Sequence, residues 1–247
     1  MIVEYHRPET LQLALELLSR RNPHTVPLGG GTHLSHYQGE PIAVVDLCRL
    51  GLSQIERIGD ILRIDSAVTL QMLIDSDETS QTLKEAARFE TNYNLRQSAT
   101  VAGTLVTGDG KSAFISALLA IDVTVITQPG AHKEAVGDWV AHRSTRNESV
   151  LITGLEVPCN VTLKYDFVGR SPLDIPIVSV AIGEWAEGRK RIVIGGIAGY
   201  PVLAMDGKEL GAVEISIKNA CSQLPNNKNS EYILETAQIL AHRLLAK

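Results

Sequence analysis

The segment Val26-Pro27-Leu28-Gly29-Gly30-Gly31-Thr32-His33-Leu34 constrains this chain more than any other. A short strand, Thr25 to Leu28, runs directly into three consecutive glycines. Without a Cβ, and with φ > 0 open to them, glycines let backbone N–H groups approach an anion closely. Thr32 and Ser35 add hydroxyls beside them. Taken alone, the string serves equally well as a tight turn after a strand. It is a poor GxGxxG dinucleotide fingerprint, because Leu34 stands where the third glycine belongs.

A second small-residue segment is Arg96-Gln97-Ser98-Ala99-Thr100-Val101-Ala102-Gly103-Thr104, which leaves room for backbone to touch a ligand. By itself such a stretch is more often a tight packing site. Gly110-Lys111-Ser112 imitates the end of a phosphate-binding P-loop, but Leu105 occupies the position of the first glycine, so that motif is rejected. His33 and His36 form an HxxH pair with no third ligand at helical spacing, and we expect no metal there. There is no GxSxG and no HExxH, and no cysteine stands as an obvious nucleophile. We therefore expect no catalytic side chains, and the missing acid–base machinery points to a bound cofactor.

Patterns of both periods alternate along the chain. Pro8 and Glu9 open a helix whose face carries Leu11, Ala14, Leu15 and Leu18. Ile42 to Leu47 is a continuous apolar strand of the kind buried on both sides. Ile55, Arg57, Ile61 and Arg63 alternate about Gly59-Asp60, a hairpin signature. Helical patterns follow at 70–74, 83–89 and 112–120, then a strand at 123–126. The polar stretch 128–149 reads as loops with a short helix near Trp139. Strands are expected at 150–157 and 161–167, and a second hairpin at 177–185 and 191–197 around Glu187-Gly188. On that hairpin Val178, Val180 and Ile182 share a face that Ile192 and Ile194 can meet. Helices at 210–221 and 230–245, separated by the turn Pro225-Asn226-Asn227, close an α+β layer. The natural boundary lies near Pro158 to Lys164.

Composition narrows the function. Lys and Arg number 23 against 28 Asp and Glu, a net charge of −5, which disfavours nucleic acid. Cys48, Cys159 and Cys221 are far apart with no CxxC pair, as suits a reducing compartment and neither a disulfide framework nor an iron–sulfur cluster. The N-terminus has no apolar signal core, and the longest greasy stretch, Phe114 to Ile126, contains Asp122. We expect no membrane insertion and a cytoplasmic protein.

Together these segments resemble the FAD-binding (medium) subunit of molybdenum hydroxylases, similar to the flavin subunit of carbon monoxide dehydrogenase and the flavin domain of xanthine dehydrogenase. PLGGGTHL (27–34) resembles the family's first pyrophosphate loop, and LRQSATVAGT (95–104) its second, usually written IRNxATIGGN. SALLAIDVTV (116–125) matches the helix and strand that follow. ESVLITGLEVP (148–158) is similar to the strand that closes the flavin domain. RSPLDIPIVSVAI (170–182), GGIAGYPVLA (195–204) and SEYILETAQILAHRLL (230–245) resemble the C-terminal domain.

The resemblance implies an α+β fold. Residues 1–160 would be an FAD-binding domain of two α/β subdomains (PCMH-type), about 1–54 and 55–160. Residues 161–247 would be a C-terminal α+β domain with a three-stranded antiparallel sheet and helices. It also implies noncovalent FAD held by two loops. Pro27, Leu28, Gly29, Gly30, Gly31, Thr32, His33 and Leu34 form the first, and Thr100, Val101, Ala102, Gly103 and Thr104 the second, through backbone N–H groups; Asp109 and Ile152 lie where the family's chain passes the cofactor. The implied work is electron transfer from the iron–sulfur clusters of a small partner subunit through FAD to NAD or a quinone, beside a large molybdopterin subunit. Three positions depart from the pattern: Ala113 replaces a usual Asp, Asp166 aligns with a lysine, and Gly110 stands for a proline. Ala113, Asp166 and a C-terminal part shorter than the family's motivate an alternative, a non-catalytic relative with weak or lost FAD binding that serves as a structural or assembly subunit.

Overall fold

The structure, a computed structural model, describes residues 1–145, 150–171, 174–208, 213–224 and 228–246. The chain begins with β1 (Ile2–His6), α1 (Leu11–Leu18), β2 (His24–Leu28) and β3 (Ile42–Asp46). The three strands form a parallel sheet in the order β1-β3-β2. β3 is central and buried along its whole length, which explains its unbroken apolar run. The Thr10 hydroxyl caps α1 by accepting the Leu13 N–H at 3.3 Å, and Ala14 and Leu18 bury that helix against Val45, Leu47 and Leu151. β1 was not read from the sequence, because as an edge strand its apolar side chains Ile2, Val3 and Tyr5 stay exposed.

The second layer is a five-stranded antiparallel sheet, β4-β5-β8-β6-β7. Its strands are β4 (Ile55–Ile58), β5 (Ile61–Asp65), β6 (Thr124–Gln128), β7 (His132–Ala135) and β8 (Leu151–Pro158). The β4–β5 hairpin turns at Gly59, whose φ is +60°. Six helices accompany the sheet: α2 (Leu70–Asp75), α3 (Gln81–Glu90), α4 (Tyr93–Arg96), α5 (Val101–Thr107), α6 (Ala113–Ala120) and α7 (Val136–His142). Within the stretch expected as loops, β7 forms as an exposed edge strand, and polar His132-Lys133-Glu134 gave no alternation to find it by. Residues 146–149 of that stretch lie outside the described residues.

The last layer is an antiparallel sheet in the order β12-β11-β10-β9, built from β9 (Val161–Val168), β10 (Val178–Trp185), β11 (Lys190–Gly195) and β12 (Val202–Gly207). It has four strands, one more than the sequence suggested. β12 was missed because Gly199 and Pro201 break the pattern just ahead of it and its alternation is shallow. The face carrying Val178, Val180, Ile182, Ile192 and Ile194 packs against α8 (Val213–Ala220) and α9 (Lys228–Leu245), with Val180 opposite Ile194 and Ile182 opposite Ile192. Of the helix expected over 210–221, residues 210–212 lie outside the described residues, as does the turn at 225–227.

The other face of this sheet, through Leu163, Ala181 and Val193, joins the core of the second layer. α6 lies between the two and is buried on every side, which is why its sequence is apolar throughout rather than amphipathic. The contact is close enough to require glycine. A Cβ on Gly110 would lie 1.8 Å from the Ala198 carbonyl oxygen, and one on Gly183 2.1 Å from that of Ala120. Gly196 also donates its N–H to the Gly110 carbonyl at 2.6 Å.

Glu90, at the end of α3, reaches the start of α6, where its carboxylate accepts the Ser112 hydroxyl at 2.8 Å and the Phe114 N–H at 2.9 Å. Burial pushes its pKa above the ordinary 4.5, against the pull of those hydrogen bonds. A carboxyl whose pKa rises on folding holds its proton longer in the folded state. Its contribution is therefore most favourable below the unfolded pKa and declines as pH rises toward the folded one. Glu90→Gln should flatten this decline, read as urea midpoints of the two proteins from pH 4 to pH 8; parallel profiles would contradict it.

Candidate functional site: a glycine-edged cleft

β2 and β3 end side by side, Leu28 opposite Asp46, and release Gly29-Gly30-Gly31 and Leu47 at the carboxyl edge of the parallel sheet. That edge is where open parallel sheets receive ligands. From the second layer, the segment before α5 comes up to meet the glycines. A Cβ on Gly30 would lie 1.5 Å from the Ser98 carbonyl oxygen, and one on Gly29 2.9 Å from Thr100 Oγ1. The two small-residue segments are therefore in direct contact, and glycine is what permits it.

Beside this contact opens a cleft of about 520 Å³. Of the residues singled out in the sequence, Pro27, Gly29, Gly30, Gly31, Thr32, His33 and Leu34 line one wall, and Thr100, Ala102, Gly103 and Ile152 line the other. Leu28, Val101, Thr104 and Asp109 are not on the walls. Val101 and Thr104 are buried on the inner face of α5. Asp109 accepts the Lys111 N–H at 2.8 Å, within the turn that leads to α6. The sequence reading missed Val26, Leu47, Ser66, Val106, Thr107, Val150 and Leu151. Val106 and Thr107 were detectable in principle, as the helical continuation of the second segment. Ser66 had no sequence signal.

The two segments differ in what their backbones offer. Among the described residues, none of the N–H groups from Gly29 through Leu34 donates to a protein acceptor. In the second segment those of Val101 through Thr104 are spent. Val101 donates to Val68 O at 2.9 Å, Ala102 to Ser66 O at 3.3 Å and Thr104 to Thr100 O at 2.8 Å. Gly103 donates to Thr100 Oγ1 at 3.0 Å, the side chain that caps α5. The expectation of free N–H donors on the second segment is corrected for Val101 to Thr104 accordingly. They form the first turn of a helix anchored to β5 and the residues after it, and they shape the wall. A run of uncommitted N–H groups on one side, with no cationic side chain on the walls, suits a diphosphate held by neutral amides.

Residues 1–160 match the family described as the FAD binding domain in molybdopterin dehydrogenase. The chain belongs to this family. The chain is also 25% identical over 226 residues to the uncharacterized protein YgfM of Escherichia coli K12, covering 89% of this chain and 86% of that protein. It is 27% identical over 133 residues to the nicotine 6-hydroxylase medium subunit of Paenarthrobacter nicotinovorans, covering 51% of this chain and 47% of that subunit. Among solved structures, a chain of reconstituted CO dehydrogenase from Oligotropha carboxidovorans superposes with a TM-score of 0.83 at 20% identity, covering 98% of this chain and 96% of that one. A chain of quinoline 2-oxidoreductase from Pseudomonas putida 86 gives 0.81 at 19% identity, with 98% and 95% covered. These structural likenesses establish the fold.

The cleft of this flavin domain fits its cofactor. The Gly29–Gly30 ridge lets the facing segment close directly against it, and the donors beside it are neutral and free, as suits a diphosphate. Two positions that depart from the family pattern lie away from the cleft walls. Ala113 is 1% exposed at the first turn of α6, below the Glu90 carboxylate. Asp166 turns to the opposite face of the C-terminal sheet, where it accepts Arg243 of α9 at 3.0 Å. Among the described residues no three His, Cys, Asp or Glu side chains converge as a metal site, and no helix is long and apolar enough to cross a membrane.

Proposed function

We propose that this chain is the FAD-binding subunit of a molybdenum-containing hydroxylase or dehydrogenase, working beside an iron–sulfur small subunit and a molybdopterin large subunit in the cytoplasm. The uncommitted N–H run of Gly29 to Leu34, set against a wall from a second layer, carries the reading. Bound noncovalently, FAD would supply the means to take electrons from iron–sulfur clusters and pass them to NAD or a quinone. The protein's part is to bind and orient. The first loop offers backbone donors to the diphosphate, Thr100 keeps the facing helix in place, and Ile152 with Val106 lines the cleft with apolar surface. A division at residue 160 is supported by the change of sheet there, from β8, which ends at Pro158, to β9, which begins at Val161.

A second reading, a structural or assembly subunit with weak or lost FAD binding, is favoured by Ala113 and Asp166, neither of which presents a polar group to the cleft. One experiment decides between them. Protein purified from its native host, denatured, should release about one flavin per chain, read by visible absorption, and the stripped chain should quench added FAD fluorescence. No flavin on release and no change on titration would favour the assembly subunit instead.

A further inference from the structure

Ser66 follows β5 and is 1% exposed, yet it forms part of the cleft wall. Its backbone is fixed on both sides. The N–H donates to Thr153 O of β8 at 3.1 Å, and the carbonyl accepts Ala102 N of α5 at 3.3 Å. Its hydroxyl, by contrast, has no hydrogen-bond partner among the described residues. A serine hydroxyl carries one donor and two acceptor sites, and leaving all of them buried and unused disfavours the folded chain. Alanine would preserve both backbone bonds without that cost, so nothing among the described residues calls for a hydroxyl here. Other buried hydroxyls also lack a partner, but Ser66 is the one on the cleft wall. On the same wall the Thr100 hydroxyl already accepts Gly103 N, and that of Thr107 donates to Gly103 O. The N–H groups of Val101 to Thr104 at the start of that wall's helix are spent as well.

We infer that Ser66 is a cofactor-holding residue, whose hydroxyl completes its hydrogen bonding with a polar oxygen of the bound flavin nucleotide. The inference rests on the flavin reading above. It gives the second wall of the cleft a polar contact that its helix backbone cannot supply. The test compares wild type with Ser66→Ala, each stripped of flavin, in thermal denaturation and in FAD titration by fluorescence quenching. Ser66→Ala should melt no lower than wild type without FAD, while its FAD affinity falls about five- to tenfold, the worth of one hydrogen bond. Equal affinity in the two proteins would overturn the inference and leave the flavin reading intact. Lower affinity together with a lower apoprotein melting temperature would also overturn it, since the hydroxyl would then serve the protein itself. A wild-type chain that binds no FAD would overturn both.

Discussion

Replacing Gly30 with alanine is expected to abolish flavin retention and to force the two cleft segments apart. The new Cβ would lie 1.5 Å from the Ser98 carbonyl oxygen and 2.4 Å from its carbon, and both are backbone atoms that no rotamer change can move. Ser98 cannot retreat freely, because its own N–H is held by Leu95 O at 3.0 Å and the next residue, Ala99, by the same carbonyl at 2.7 Å. Overpacking of this kind costs about 1–3 kcal/mol or more. The strain falls on the loop that carries the free N–H groups, so their alignment is lost with it. At about 1.4 kcal/mol per tenfold, FAD affinity should drop at least roughly ten- to hundredfold. Gly31→Ala is the control. There a Cβ would find only Leu28 Cδ1 at 3.4 Å, and the cost is the φ of +70°, which is worth about 1–2 kcal/mol in a residue with a side chain. Flavin content after purification, with far-ultraviolet circular dichroism as the check on folding, separates the two. A folded Gly30→Ala protein carrying full flavin would refute the role assigned to this contact.

Asp122→Ala is expected to destabilise the chain by about 3 kcal/mol through charge alone, with a further fraction of the roughly 1–2 kcal/mol left-handed penalty. Asp122 sits in the turn between α6 and β6 at φ +58°, a conformation that aspartate tolerates better than alanine. Its carboxylate accepts Arg189 Nη2 at 2.9 Å and also pairs with the Arg191 guanidinium, joining the second layer to the C-terminal sheet. Arg191 is 6% exposed in its side chain, so losing Asp122 leaves a buried cation whose one remaining carboxylate among the described residues is Asp206 at 3.6 Å. Asp206 is already committed to a two-bond fork with Arg189, at 2.7 Å each, which holds its pKa below the usual carboxylate range. Asp122 itself keeps 30% exposure, which places the charge term at the low end of the range for buried pairs. Asp122→Asn retains the backbone preference and removes only the charge, and should therefore fall between wild type and alanine. Urea midpoints with an unchanged slope would measure this; a loss below 1 kcal/mol for Asp122→Ala would show that the network contributes little.

Much of the layer order could be read from the chain, and the failures have a common cause. Central elements such as β3 and the β10–β11 hairpin were visible because burial writes a period into their residues. β1, β7 and β12 were not, because exposed apolar residues, a polar sequence and a shallow alternation leave no such period in them. The second small-residue segment was recognised but misjudged. Its residues suggested an open loop, whereas Thr100 caps a helix there and consumes the donor at Gly103. Capping by threonine was the signal that could have revealed it.

What the sequence determined by itself was chemistry and alternation. It held a strand ending in three glycines, a second run of small residues, and two sets of elements with different periods. Which amides remain free was decided only in three dimensions. The partners that occupy Val101 and Ala102 are Val68 and Ser66, more than thirty residues earlier, and no local spacing announces them. The same holds for Ala113 and Asp166, whose departures from the family pattern look alike in the sequence. In the folded chain one is sealed beneath Glu90 and the other pairs with Arg243 of α9. Backbone hydrogen bonds in strands and helices follow from local pattern. Those of loops and helix starts depend on whichever distant segment the core brings alongside.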